Sequence, residues 1–321
     1  MKKADIRIFL TYLQSQETSQ HYLKTCYEQL HIPDAATLSY QNANVFMYNL
    51  EHGNAFYTHG KKSDMLLQPI LYFYGMVHLL KAALISLRPH YPESTKILAH
   101  GVSTRKRKKK QYSFLEDEVK IQHQGLFPYF SEHLFHMKQM PFEKITMHRL
   151  ATSIPELQRL LRLEQQDEFI EVGTIGETSL TFPIDILDAY YITANAFIKR
   201  VSTHIPPVIK TNVNKTNISF ELKQPITKSF GPFFIDHFEE KIYFPKNREH
   251  FIPVSEVMIH YLLLYNLSML SRYESQWWGE LLTLKPDNEF PLISHFLSVT
   301  AEKTPLLLGD ILLNQFRNSP I

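Results

Sequence analysis

Cysteine is almost absent: Cys26 is the only one in 321 residues. A lone thiol excludes an intrachain disulfide and suits a reducing compartment. Glycine is scarce, with 10 residues against 22 Phe and 17 Tyr. Few turn-formers and many bulky apolar side chains favour helices packed on one another over a turn-rich sandwich. Net charge is nearly absent too, since 34 Lys and Arg against 32 Asp and Glu leave +2. The chain is therefore no bulk polyanion binder, although its 16 His add positive charge as pH falls. Long uninterrupted apolar runs are missing. "PILYFYGMVHLLKAALISL" contains His78 and Lys81, and "YLLLYNLSML" is shorter than the roughly 20 residues a bilayer requires. Asp5 and Arg7 stand where a signal peptide needs an apolar stretch. These features predict a soluble, cytoplasmic protein with no membrane partner.

Catalytic signatures are missing as well. There is no GxSxG, no Walker A lysine loop, no GxGxxG and no kinase set. "EVGTIGETSL" lacks the spacing and the following Lys of a phosphate loop. These absences favour a non-enzymatic protein with no cofactor. Metal-ligand patterns are incomplete. Glu132, His133 and His136 share a helical face, and Asp236, His237, Glu239 and Glu240 crowd another stretch. No HExxH or paired-Cys pattern completes either set, so both read as surface patches and no metal is expected.

What is present is helical rhythm at both ends. "IRIFLTYLQSQETSQHYLKTCYEQL" reads as one helix closed by Pro33, with Cys26 inert in its middle. A second helix is expected over roughly Gln41–Tyr57, with Gly60 as its stop. A third, in "SDMLLQPILYFYGMVHLLKAALISL", starts at a Ser63 or Asp64 cap and ends at Arg88-Pro89. Together they suggest an antiparallel bundle. The middle of the chain differs. "DEVKIQHQGLFPYFSEHLF" predicts a strand, a Gly turn and a short helix. Ser153 to Gln165 predicts a helix opened by a Ser153-x-x-Glu156 capping box. "EFIEVGTIGETSLTFP" predicts strands, "PIDILDAYYITANAFIKR" a helix, and "NISFELK" and "EEKIYFP" further strands. After Ser255 comes an amphipathic helix, then three shorter ones, the last opening at Pro305. The expected fold is mostly α (α+β), a helical bundle with a small β insertion. Its regions are an N-terminal helical 1–110, a mixed 111–250, and a C-terminal helical 251–321 packed with the N-terminal helices.

Two stretches concentrate candidate chemistry. Arg105, Lys106, Arg107, Lys108, Lys109 and Lys110 are consecutive cations, followed by Glu116, Asp117 and Glu118. Such a run repels itself and belongs on the surface, either as a solvated loop or as a holder of phosphate oxygens. His100, five residues before it, is within reach of a phosphate held there and is the one catalytic candidate. Alternatively, it is a half-buried His at a helix end capped by Gly101. "SMLSRYESQWWGELL" gathers Arg272, Tyr273 and the only tryptophans, Trp277 and Trp278. Adjacent Trp residues cannot share a helical face. One is expected in the core, and the other is free to stack on a ligand, on Arg272 or on a partner.

"PILYFYGMVHLLKA", "YPESTKILAHGVSTRKRKKKQYSFLEDEVKIQ" and "SEVMIHYLLLYNLSMLSRYESQWW" together resemble the YaaC-like proteins of Bacillus and its relatives, from about Ile8 to the C-terminus. The resemblance implies a cytosolic bacterial protein and supplies no reaction. Genes of that family often adjoin the gene for IMP dehydrogenase, which implies a link to purine nucleotides and that enzyme as a partner. A looser similarity is to HEPN-type helical domains, whose RNase members carry an Arg shortly before a His on one helix. The nearest pairs here are Arg88 with His100, separated by a Pro break, and Lys96 with His100, where Lys replaces Arg. The leading expectation is a regulatory or binding protein that takes a phosphorylated ligand, most of all a purine nucleotide, through Arg105–Lys110 and His100. The alternatives are a HEPN-like RNase with His100 catalytic, and a protein that docks an acidic protein surface through the same run.

Overall fold

The computed structural model describes residues 3–104 and 112–317. Among them the fold is mostly α with a small β region. It divides into two compact units: one comprises the chain up to Thr146 and again from His260, the other Met147–Ile259.

The first unit opens with α1 (Lys3–Tyr12) and α2 (Gln16–Gln29), where the apolar rhythm predicts a single helix. Ser15 makes the break. It adopts an extended backbone, and its hydroxyl accepts from the Thr18 N–H at 3.2 Å, which satisfies a donor that would otherwise be orphaned at the start of α2. The next helix, α3 (Ala35–Lys62), is longer than predicted and passes through Gly60, to end at an extended Ser63. Its Gly53 is where the following helix comes close, since a Cβ there would stand 2.6 Å from Leu79 Cδ2. That helix, α4 (Gln68–Leu87), has Pro69 in its first turn and Leu67 at its N-cap, not Ser63 or Asp64. By length and composition α4 is apolar enough to cross a membrane, yet 67% of its most apolar window is buried inside the protein. It is the core helix of the unit. Three short strands, β1 (Val102–Thr104), β2 (Glu118–Ile121) and β3 (Lys144–Thr146), pair antiparallel in that order around α5 (Leu126–Phe135) in the chain.

In the second unit, α6 (Met147–Ala151) is followed by a tight turn over Pro155–Leu157 and by α7 (Gln158–Leu163). The predicted capping box does not form. Ser153 donates back to the Arg149 carbonyl and Glu156 accepts from the His237 N–H, so both side chains are used elsewhere. Strands β4 (Phe169–Thr174) and β5 (Ser179–Pro183) precede α8 (Ile186–Tyr190) and α9 (Ala194–Ser202). A left-handed Tyr191, φ 54°, splits what reads as one helix into these two. Strands β6 (Val208–Val213), β7 (Asn217–Leu222), β8 (Phe234–Asp236) and β9 (Lys241–Pro245) complete two antiparallel sheets, ordered β4-β9-β8 and β5-β7-β6. Their alternating apolar positions surround a core rich in aromatic rings, among them Phe182, Phe220, Phe233 and Phe244.

The chain then enters α10 (Glu256–Tyr273), α11 (Ser275–Leu284) and α12 (Glu289–Arg317). Pro305 lies inside α12, not at the start of a separate helix. It cannot donate to the carbonyl four residues back, a loss that often ends a helix. Here Thr300, Ala301 and Thr304 before it are buried, as are Leu308 and Leu312 after it. Burial on both sides holds the helix through the missing bond.

Candidate functional site

Tyr74, His78 and Lys81 stand at i, i+4 and i+7 of α4, so they share one face. All three are only half-buried on a helix that otherwise buries most of its length. The neighbouring helix fixes the state of His78. The Asn49 amide donates to the Val45 carbonyl at 2.8 Å, which turns its oxygen to His78 Nδ1 at 2.9 Å. Nδ1 therefore carries the hydrogen, and Nε2 carries the lone pair. Burial, then Lys81, then His52 lower the His78 pKa to about 4. At neutral pH His78 is an uncharged acceptor.

Burial also pushes the Lys81 ammonium toward its neutral form. Among the described residues its nitrogen has neither an ion pair nor a hydrogen-bond acceptor.

His100 meets this face from the loop before β1. It is not at a helix end: a turn of 3-10 helix stops at Leu98 and the chain is extended at Ala99. Its carbonyl accepts from the Phe127 N–H at 3.1 Å and from the Tyr261 hydroxyl at 2.9 Å. The next residue, Gly101, has φ +77° and packs so closely on Gly125 that a Cβ on either would overlap the other's chain segment. The imidazole sits among Phe73 at 5.0 Å, Tyr265 at 5.8 Å and Tyr74 at 6.2 Å between ring centroids. Burial lowers its pKa, and the positive charges of Arg272 and Lys81 lower it further.

Arg272 comes from the last turn of α10. Its guanidinium donates to the Ser268 carbonyl at 2.8 Å and to the Tyr74 hydroxyl at 3.2 Å, and it lies over the Tyr74 and Tyr273 rings. It forms no ion pair among the described residues. Lys81, His100 and Arg272 thus converge from three parts of the chain, and among the described residues no carboxylate shifts the titration of His78, Lys81 or His100. Such a site repels cations and rewards an anion.

The predicted phosphate-holding residues Arg105, Lys106, Arg107, Lys108, Lys109 and Lys110 lie outside the described residues. The segment after them is firmly attached. Glu289 of α12 accepts from the Ser113 hydroxyl and from the Phe114 and Leu115 N–H groups. Asp117 accepts from the Tyr112 hydroxyl at 2.8 Å and from Asn266 of α10 at 3.0 Å. Asp117 is thus engaged within the fold. Trp277 is half-buried with its ring 4.9 Å from Tyr112 and perpendicular to it. Trp278 is the core member of the pair, fully buried and donating to the Leu66 carbonyl at 3.3 Å. Tyr273, 67% exposed, is the aromatic ring at the surface, with the Arg272 guanidinium over it.

The other polar groups lie elsewhere. Arg88 is paired with Glu93. His133 packs on Tyr129, while His136 takes a left-handed conformation at the end of α5 and leaves the helical spacing. Asp236 caps the N–H groups of Phe238 and Glu239, and Glu239 pairs with Arg159.

A family described as YaaC-like Protein matches residues 11–312. The chain belongs to the YaaC-like family. The match spans every residue of the cluster, Lys81, His100 and Arg272 included. Neither the curated proteins nor the solved structures contain a match to the chain. The family description states no reaction, so the chemistry of this YaaC-like chain is argued from its side chains. Sequence reasoning singled out His100 and Arg272 but passed over Lys81, His78 and Tyr74. The available signal was two basic side chains, seven and four residues after Tyr74, on the most apolar helix.

Proposed function

We propose that this is a cytoplasmic regulatory or binding protein that recognises a phosphorylated ligand, with a purine nucleotide as its class. One observation carries the reading: the positive charges of Arg272 and Lys81 both act on His100, with no carboxylate acting on Lys81 or His100 among the described residues. Uncompensated cations in a half-buried setting cost stability, and an anion removes that cost. The Arg105–Lys110 run adds six positive charges to the chain between His100 and the anchored Tyr112. The purine class and IMP dehydrogenase as protein partner rest on family association alone.

The test is thermal unfolding with GTP, ATP, IMP and guanosine alarmones, on the wild type and on a variant with Arg105–Lys110 changed to Gln. A nucleotide that binds the folded state raises the midpoint by mass action. An upward shift with one nucleotide, lost in the variant, supports the reading. No shift with any of them sinks it and leaves docking on an acidic protein surface as the function of the run. RNA cleavage abolished by His100→Ala in a folded protein would replace it with the ribonuclease reading.

A further inference from the structure

We propose that the cleft between α1, α3 and α12 binds a small zwitterion, an α-amino acid with an aliphatic side chain. The cleft uses none of the residues of the phosphate reading and stands apart from it. Its volume is about 290 Å³. That is the small end of the roughly 300–1,000 Å³ usual for ligand pockets, and it suits a small metabolite.

The order of charges is the first argument. Arg7 of α1 and Lys61 of α3 line the cleft and reach one carboxylate, Glu302 of α12, at 3.5 and 2.5 Å. Arg7 takes Oε2 and Lys61 takes Oε1, so positive, negative and positive groups alternate within a short span. A plain anion placed there also meets Glu302, and a plain cation also meets Arg7 and Lys61. A ligand with both charges close together finds a partner for each. Its ammonium faces Glu302, and its carboxylate accepts from the remaining N–H groups of Arg7 and Lys61.

The interrupted helix supplies a second acceptor. Ala301 and Pro305 both line the cleft. Pro305 lies inside α12 and has no N–H for the Ala301 carbonyl, so the missing helical bond falls on the side of α12 that faces the cleft. An ammonium has three N–H bonds and can use that carbonyl together with Glu302. The rest of the lining is apolar. Leu10 of α1 and Leu306 of α12, with the buried Tyr57 ring of α3, receive an aliphatic side chain. Its length is limited. Four residues beyond Pro305 the helices touch, and a Cβ on Gly309 would stand 2.5 Å from Ile6 Cγ2 and 3.1 Å from Leu10 Cδ1.

The experiment is calorimetric titration of the full chain with four probes. They are L-leucine, isocaproate, which lacks the ammonium, isopentylamine, which lacks the carboxylate, and glycine, which lacks the side chain. The variants are Glu302→Gln, which removes the negative charge, and Pro305→Ala, which returns an N–H to the Ala301 carbonyl. Both positions are partly exposed, and an interior helix accepts alanine more readily than proline, so both variants keep the fold, as circular dichroism checks. Hydrogen bonds to charged groups set the expected scale: leucine binds about tenfold tighter than each other probe, and each variant loses about tenfold for leucine. Pro305→Ala is expected to lose affinity while gaining stability, which a merely structural role would not produce. Isocaproate or isopentylamine binding as tightly as leucine, or unchanged leucine affinity in either variant, overturns the proposal. So does a wild type that binds no leucine.

Discussion

His78 shows what a single half-buried imidazole does to the stability of this fold. In the unfolded chain it takes up its proton near the ordinary value of 6.5, and in the folded protein only near 4. Between those values the unfolded state holds more protons, so stability falls as pH drops from 6.5 toward 4. Above 6.5 both states are neutral and the contribution is fully present. Removing the imidazole with His78→Gln should therefore flatten the acid side of the curve, by an amount reduced by the half exposure of the ring. Unfolding midpoints at pH 7, 5.5 and 4.5 check this. Parallel wild-type and variant curves would show that His78 does not carry the dependence. Cys26 stands at the opposite extreme, its thiol pushed up to about 12 by burial and removed from ordinary thiol chemistry.

At the scale of elements, the boundaries between helices rest on single residues. Ser15→Ala removes the oxygen that caps α2 and should cost about 1 kcal/mol, read from urea unfolding. A loss below a few tenths would mean that Thr18, whose hydroxyl bonds to the Tyr12 carbonyl, sustains the turn alone. The strong patterns were legible from sequence: α4 and α10 from their apolar length, β7 and β9 from alternation and bounding turns. The breaks were less so. Apolar spacing continues from Leu13 to Tyr22 because both sides of Ser15 reach the core, so periodicity reports one helix where the backbone forms two. Pro305 gives the same local signal as a first helical residue or an interior one, and only burial on both sides decides between them. At the site, His100 and Arg272 were visible as polar residues in unusual surroundings. Lys81 and His78 were visible only as interruptions of an apolar run, because spacing along one helix does not show which neighbours lack a carboxylate.

Across the whole molecule, a few buried carboxylates connect distant stretches of chain. Glu289 is the clearest case, since it accepts from Ser113, Phe114 and Leu115, more than 170 residues earlier. Glu289→Ala would leave two backbone N–H groups without their acceptor in a buried setting, at a cost of about 3 kcal/mol. Glu289→Gln keeps one oxygen and should lose less. Urea unfolding of both variants checks the order, and equal losses would show that carboxylate charge, not acceptor number, holds the segment.

The division of the chain also has a consequence for its synthesis. The unit from Met147 to Ile259 is one uninterrupted stretch, whereas the larger unit is made of two pieces that flank it. A chain that leaves the ribosome N-terminus first completes the inner stretch before α11 and α12 exist to finish the larger core. Lys81 and His100 emerge early and wait through more than half the protein for Arg272. Arg272 therefore joins Lys81 and His100 only when synthesis is nearly over.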